Sequence, residues 1–235
     1  MIAKHAPRRA SRPGMPTPEI ARRTVRMLRR ARRRLWPRRL DRILEIPGWT
    51  QEAQLRYLMG RVRALPDGAV IVEVGVWHGR SALAMADACR GTARRVYAVD
   101  PWVDYDEGAG SVSSLLEERG HGGIEEAYRS FLRHRRELGL EETTRVVRAT
   151  GVAAAAGWTG GPVALLFVDA NHAYDAVTAD LAAWFPHVAP GGLVCGDDWD
   201  WDSVRRAVRD FVAAHPGCSI ELPCPNTWAF VKPGR

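Results

Sequence analysis

A chain of 235 residues with 46% hydrophobic composition can bury a sizeable core, most simply as one domain with an appendage. No apolar run approaches the roughly 20 residues a membrane span needs, and no apolar block with a small-residue cleavage site marks a secretion signal, so the expected location is cytoplasmic. The formal charge of +7 is unevenly spread: residues 1–40 hold 13 Arg, one Lys and one Glu, whereas residues 41–235 hold 20 basic against 26 acidic side chains. The body is acidic and only the arm is basic, so the charge gives no ground for a nucleic-acid partner.

In chain order, "KHAPRRASRPGMPTP" is rich in Pro and Arg with little to bury, the composition of a disordered segment. Ile20, Thr24, Met27, Leu28, Ala31 and Leu35 then fall at helical spacing among arginines. They define a basic amphipathic helix, suited to peripheral contact with an anionic membrane, to a solvated arm or to a homo-oligomer contact. Residues 1–40 are accordingly read as an arm and 41–235 as the folded domain. Within the domain, a helix over "QEAQLRYLMGRVRAL" precedes the strand "AVIVEV", a Gly-containing turn, the helix "RSALAMADACR" and the strand "RVYAVD". The stretch 101–123, rich in Gly, Ser and acids, reads as a long loop or short helix over a site. A helix, "IEEAYRSFLRHRREL", leads to the strand "TRVVRA", a small-residue turn and the strand "PVALLFVD". There follow the helix "YDAVTADLAAWF", the strand "GGLVCGD", the helix "SVRRAVRDFVAA", and the pair "CSIEL" and "TWAFV", joined through Pro223 and Pro225. Short apolar strands alternating with helices imply an α/β fold: a mostly parallel sheet with helices on both faces, closed by an antiparallel hairpin. Cys89, Cys195, Cys218 and Cys224 show no C-x-x-C spacing and are expected as reduced thiols.

The polar residues at the strand ends carry the chemistry. In "VEVGVWHGRSAL", Glu73, Gly75 and Gly79 surround the first strand–helix turn, where glycines let backbone approach a ligand and a helix start offers free N–H groups. The spacing is not the G-x-G-x-x-G of the dinucleotide fingerprint, which counts against a dehydrogenase. Asp100 ends the second strand, where an acid can accept bonds from two ribose hydroxyls. Asp169 ends one later strand and Asp197 and Asp198 the next, so three carboxylates can converge on a cation. Oxygen-only ligation suits Mg²⁺ or Mn²⁺. Successive strand residues point to opposite faces, so both Asp197 and Asp198 reach one cation only if the chain turns there, as Gly196 would permit. His172, three residues after Asp169, has an ordinary pKa of about 6.5 and can take a proton from an incoming hydroxyl.

Together "VEVGVWHGRSAL", "VYAVDPW", "LLFVDANHAYDAVTADLAAWFPHVAPGGLVCGDDW" and "DSVRRAVRDFV" resemble class I S-adenosylmethionine-dependent methyltransferases, and among these the metal-dependent macrocin-type sugar O-methyltransferases. The resemblance spans roughly residues 50–231 and implies a Rossmann-like seven-stranded sheet. It gives Gly75 and Gly79 to the methionine part of S-adenosylmethionine, with Glu73 and Ser81 in the same binding set. It gives Asp100 to the ribose and sets Trp102 and Thr150 near the adenine. Asp169, Asp197 and Asp198 become Mg²⁺ ligands, and Asp169 and His172 the catalytic pair, with His172 as the base. The implied acceptor is a small-molecule hydroxyl, foremost on a sugar or glycoside of a natural product, with Trp199, Trp201 and residues 103–123 to cover it. A catechol or phenol chelates Mg²⁺ in the same way and stays open as acceptor, as does a non-catalytic nucleotide-binding module.

Overall fold

The β-branched runs form strands and the amphipathic and small-residue runs form helices, in regular alternation. A computed structural model describes residues 39–104 and 122–234. The chain divides into a unit Met1–Asp41 and a unit Arg42–Arg235. The arm with its amphipathic helix, its expected membrane or oligomer contacts, and most of the loop expected over the site (residues 105–121) lie outside the described residues.

The larger unit contains α1 (Glu52–Ala64), β1 (Val70–Val74), α2 (Arg80–Ala88), β2 (Arg95–Val99), α3 (Ile124–Glu137), β3 (Thr144–Val147), α4 (Gly151–Ala156) and β4 (Val163–Val168). It continues with α5 (Tyr174–Trp184), a 3₁₀ turn (Phe185–His187), β5 (Val188–Gly196), α6 (Asp202–Ala213), β6 (Glu221–Cys224) and β7 (Thr227–Val231). The strands form one sheet in the order β3-β2-β1-β4-β5-β7-β6. β1 to β5 run parallel, and β7 runs antiparallel to β5 and β6. This is the expected Rossmann-like sheet with its closing hairpin. The order reverses between β1 and β4, which opens a crevice at the C-terminal ends of the strands.

Both faces of the sheet are covered, as a parallel sheet requires. Val72, Val74, Leu166, Val168 and Val194 pack with Leu181 and Trp184 of α5 and Val208 and Phe211 of α6. The alternate residues Ile71, Leu165, Phe167 and Cys195 are buried as well, on the opposite face by the two-residue period of a strand. Helix α1 buries Gln54, Leu55, Leu58, Met59 and Val62 and packs against α2, whose residues Ser81 to Ala88 are all buried. All four cysteines are free. Among the described residues no helix is long and apolar enough to cross a membrane.

Two details depart from the sequence reading. Pro223, expected as a connector, lies inside β6; β6 is an edge strand, where a missing backbone N–H costs no ladder bond. The turn expected at Gly196 occurs instead at Asp198, whose φ is 63°. Gly196 stays in the strand, and a Cβ there would stand 2.2 Å from Cζ2 of Trp228, so its bare backbone serves packing.

Candidate functional site

Every candidate site residue sits at or beside the C-terminal edge of the sheet. The turn after β1 is a backbone cradle. Gly75 has φ 87°, its N–H donates to Val99 O at 2.9 Å, and a Cβ there would lie 1.9 Å from Asp169 O. Gly79, at φ 88°, caps α2 where a Cβ would strike the Phe131 ring at 2.3 Å. From the tip of β2, Asp100 closes this turn: its Oδ2 accepts the N–H groups of Val76 (2.8 Å) and Trp77 (2.9 Å), and its Oδ1 that of Trp102 (2.7 Å). Burial raises its pKa, and those three bonds oppose the rise. A carboxylate offers about four acceptor positions, so most of Asp100's capacity is already spent on protein. Asp100 therefore builds the cradle as well as facing it.

Asp100→Asn would present an amide where two N–H groups need an acceptor and would remove charge-assisted bonds worth about 1.5–3 kcal/mol each. The expected result is a cofactor affinity lower by about 10–100-fold with a lower melting midpoint. Calorimetry and thermal melting together check this, and unchanged affinity would refute the ribose assignment.

Glu73 is wholly buried on β1, with Ser81 Oγ donating to its Oε1. Its Oε2 has no hydrogen-bond partner among the described residues. Burial pushes the carboxyl from 4.5 up to about 8, the Ser81 bond opposes this, and the Asp100 charge adds to it. Between those values the folded chain holds a proton that the unfolded chain has lost, so stability falls as pH rises through the window. Glu73→Gln should flatten that part of the decline. Melting midpoints of both proteins from about pH 5 to about pH 8 measure it, and parallel curves would refute it.

The acidic end of the site lies beyond β4 and β5. Asp169 N–H donates to Val74 O at 2.8 Å, joining the β4 tip to the glycine turn. Burial first, then the charges of Asp197, Asp198 and Glu73, push its carboxyl well above the usual carboxylate range. Burial and Asp198 likewise raise Asp197 to about 6. His172 Nε2 lies 2.9 Å from Asp198 Oδ2, and the His172 ring stacks on Trp201 at 4.7 Å and 24°. Among the described residues no group of three or more His, Cys, Asp or Glu side chains is placed so that it could hold a metal ion.

Trp102 and Thr150 are committed largely to structure. Trp102 is buried against Tyr128 and Phe131, and its Nε1–H donates to Trp77 O at 2.9 Å. Thr150 caps α4, its side chain accepting from the Ala153 N–H at 3.2 Å. Trp201 is 52% exposed beside His172, and Trp199 N–H bonds to Asn226 O. Among described non-glycine residues the left-handed backbones are Trp77, Trp102, Asp198 and Asn226. The first three border the site and the fourth holds its acidic loop, the placement expected of strain retained for function.

Sequence reasoning missed Gln54, Asn226 and Trp228, all bonded to the acidic loop, and Thr227, whose hydroxyl accepts from Gln54. Gln54 left a trace: it falls on the apolar stripe of α1, with Leu58 and Val62 following at helical intervals.

A family model described as a methyltransferase domain matches residues 72–199. A 4'-O-methyltransferase of Streptomyces olivaceus, named for 8-demethyl-8-(2,3-dimethoxy-alpha-L-rhamnosyl)-tetracenomycin-C, is 30% identical over 168 residues. The match takes in 67% of this chain and 63% of that relative, so the chain spans less than two thirds of the relative's length. Among solved structures, the O-methyltransferase NovP superposes with a TM-score of 0.60 at 20% identity, over 77% of this chain and 80% of NovP. CalS11, a TDP-rhamnose 3'-O-methyltransferase of calicheamicin biosynthesis, superposes at 0.53 and 20% identity, over 80% and 84%.

Proposed function

Because the chain belongs to the methyltransferase-domain family, we propose that it transfers a methyl group from S-adenosylmethionine to a hydroxyl of a sugar or glycoside, assisted by Mg²⁺ or Mn²⁺. The observation that carries this reading is the meeting of two half-sites on one sheet edge. The Gly75–Gly79 cradle with Asp100 stands on one side, and Asp169, Asp197, Asp198 and His172 stand on the other, joined through the Asp169 N–H bond to Val74 O. The sugar as acceptor follows from the Streptomyces relative and from CalS11, both named for methylating rhamnose or a rhamnosyl group.

When bound, S-adenosylmethionine supplies an electrophilic methyl, and a divalent cation lowers the pKa of an oxygen beside it. The chain's residues do the rest. The turn from Gly75 to Gly79 would receive the amino-acid part of the cofactor, and Asp100 would orient the ribose. Asp169, Asp197 and Asp198 would be the residues to hold a cation at this edge, where it would polarise an acceptor hydroxyl. His172 takes the hydroxyl proton, and the Asp198 carboxylate beside its Nε2 stabilises the imidazolium that results. Trp201 keeps the imidazole ring in place and offers an aromatic face to sugar C–H groups.

The test is incubation with labelled S-adenosylmethionine, Mg²⁺ and a panel of rhamnosides, dTDP-rhamnose and catechols, with products identified by mass spectrometry. A methylated sugar supports the reading. Methylated catechol alone would move the acceptor class, and cofactor binding without transfer to any acceptor would favour a binding module.

A further inference from the structure

Helix α6 carries three arginines beside the crevice, and only one of them is spent on structure. Arg205 donates from Nη1 to Trp199 O at 3.1 Å and pairs with Asp202. Arg206 and Arg209 are exposed and rest on aromatic rings. The Arg206 guanidinium lies 4.2 Å from the centroid of the Tyr174 ring, and that of Arg209 lies 5.5 Å from the centroid of the Trp199 ring. Such a ring attracts a guanidinium but offers no oxygen to its five N–H donors. Asp210, on the same helix, accepts the Tyr174 hydroxyl at 2.9 Å, and among the described residues neither Arg206 nor Arg209 joins an ion pair or donates a hydrogen bond. Both rings are anchored beside His172. Tyr174 follows it by two residues, so their Cα atoms lie within about 7 Å, and Trp199 directly follows Asp198, whose Oδ2 is 2.9 Å from His172 Nε2.

We propose that Arg206 and Arg209 form an anion-binding shelf for the acceptor, and that the acceptor is a sugar carrying a diphosphate on its anomeric carbon. This rests on the sugar reading above and narrows it from finished glycosides to activated sugars. Two like charges three residues apart repel on a helix surface, and a phosphate group between them removes the repulsion. Their open N–H edges match phosphate oxygens bidentately, a match that a neutral glycoside cannot supply. With the diphosphate on the shelf, the sugar ring is left to reach His172, beside the exposed Trp201 indole that stacks on it. Methylation then precedes the glycosyl transfer that breaks the anomeric C–O bond and releases the diphosphate.

The experiment titrates the full chain with dTDP by calorimetry, in saturating S-adenosylhomocysteine so that the glycine-turn side is filled. The unaltered chain should bind dTDP, more weakly as salt is raised, and inorganic pyrophosphate should displace it. Arg206→Gln and Arg209→Gln should each weaken dTDP binding about 10-fold, and the two together about 100-fold, the loss of one and of two charge-assisted contacts. Arg206→Lys, which keeps the charge but not the planar fork, should fall between the unaltered chain and Arg206→Gln. Both side chains are exposed, so the variants should fold. With S-adenosylmethionine present, dTDP-rhamnose should be methylated in preference to a methyl rhamnoside, and its KM should rise in the Gln variants. Equal dTDP affinity in all these proteins, or no dTDP binding by an unaltered chain that methylates a neutral rhamnoside, would overturn the inference and leave the sugar reading standing. Transfer to catechols alone would overturn the sugar reading and the inference with it.

Discussion

His172→Ala should bind S-adenosylmethionine and Mn²⁺ as the unaltered chain does, yet transfer the methyl about 10²–10⁴-fold more slowly, the usual contribution of general acid–base catalysis. The expectation follows from where the side chain sits. His172 follows the β4 tip, paired with Asp198 at 2.9 Å and stacked on Trp201, on the acidic side of the site. Its loss should therefore remove a proton acceptor from the acidic side, while the Asp100 bonds that close the glycine turn stay in place. Single-turnover transfer at saturating cofactor, metal and acceptor isolates that step from binding. A rate close to that of the unaltered chain would remove His172 from the mechanism, whereas a rate restored by added imidazole would support it directly.

Gly75→Ala should be the most damaging single methyl in the domain. The residue has φ 87°, and the added Cβ would lie 1.9 Å from Asp169 O and 2.4 Å from its carbonyl carbon. Relief requires β1 and β4 to part at the point where the Asp169 N–H bonds to Val74 O at 2.8 Å. Positive φ alone costs about 1–3 kcal/mol, and overpacking against fixed backbone adds about 1–3 kcal/mol more, a large share of a typical domain's stability. Chemical denaturation should show a loss of about 2–6 kcal/mol, the sum of those two ranges, together with lost cofactor binding. Full stability with intact binding would mean that the turn can adopt another path.

The fold was legible because its strands advertise themselves. "AVIVEV" and "PVALLFVD" are too short and too β-branched to be helices, and each is followed by polar residues where a parallel strand ends. The positions of Asp100, Asp169 and Asp197 at strand tips followed from that reading alone. What escaped it depends on contacts between distant segments. Gln54 meets Asp197 across 143 residues, and Trp228 meets it across 31. No local pattern connects them, although a glutamine on an apolar stripe is a buried polar group that must find a partner. The turn at Asp198 was assigned to Gly196 for a similar reason. Glycine is the residue that ordinarily takes a left-handed backbone, but the Trp228 indole, unseen from the local sequence, claims the space its missing Cβ leaves. Trp102, which the family resemblance set near the adenine, is buried against Tyr128 and Phe131, ring contacts that no local pattern announces.

The hairpin's grip on the acidic loop also orders events during synthesis. β1, β2 and β4, with the Gly75 turn and Asp100, are complete once the ribosome has passed Asp169. Asp197 has Gln54 waiting for it, but its backbone oxygen awaits the Trp228 indole, 31 residues later. Asn226, which accepts the N–H groups of Trp199 and Asp200, is equally late. At about 5–20 residues per second, the nascent chain passes through an interval of seconds in which the glycine-turn half of the crevice has all its parts and the acidic half lacks its clamp. A ribosome-bound chain stalled just before β6 should then capture S-adenosylmethionine before it can methylate anything.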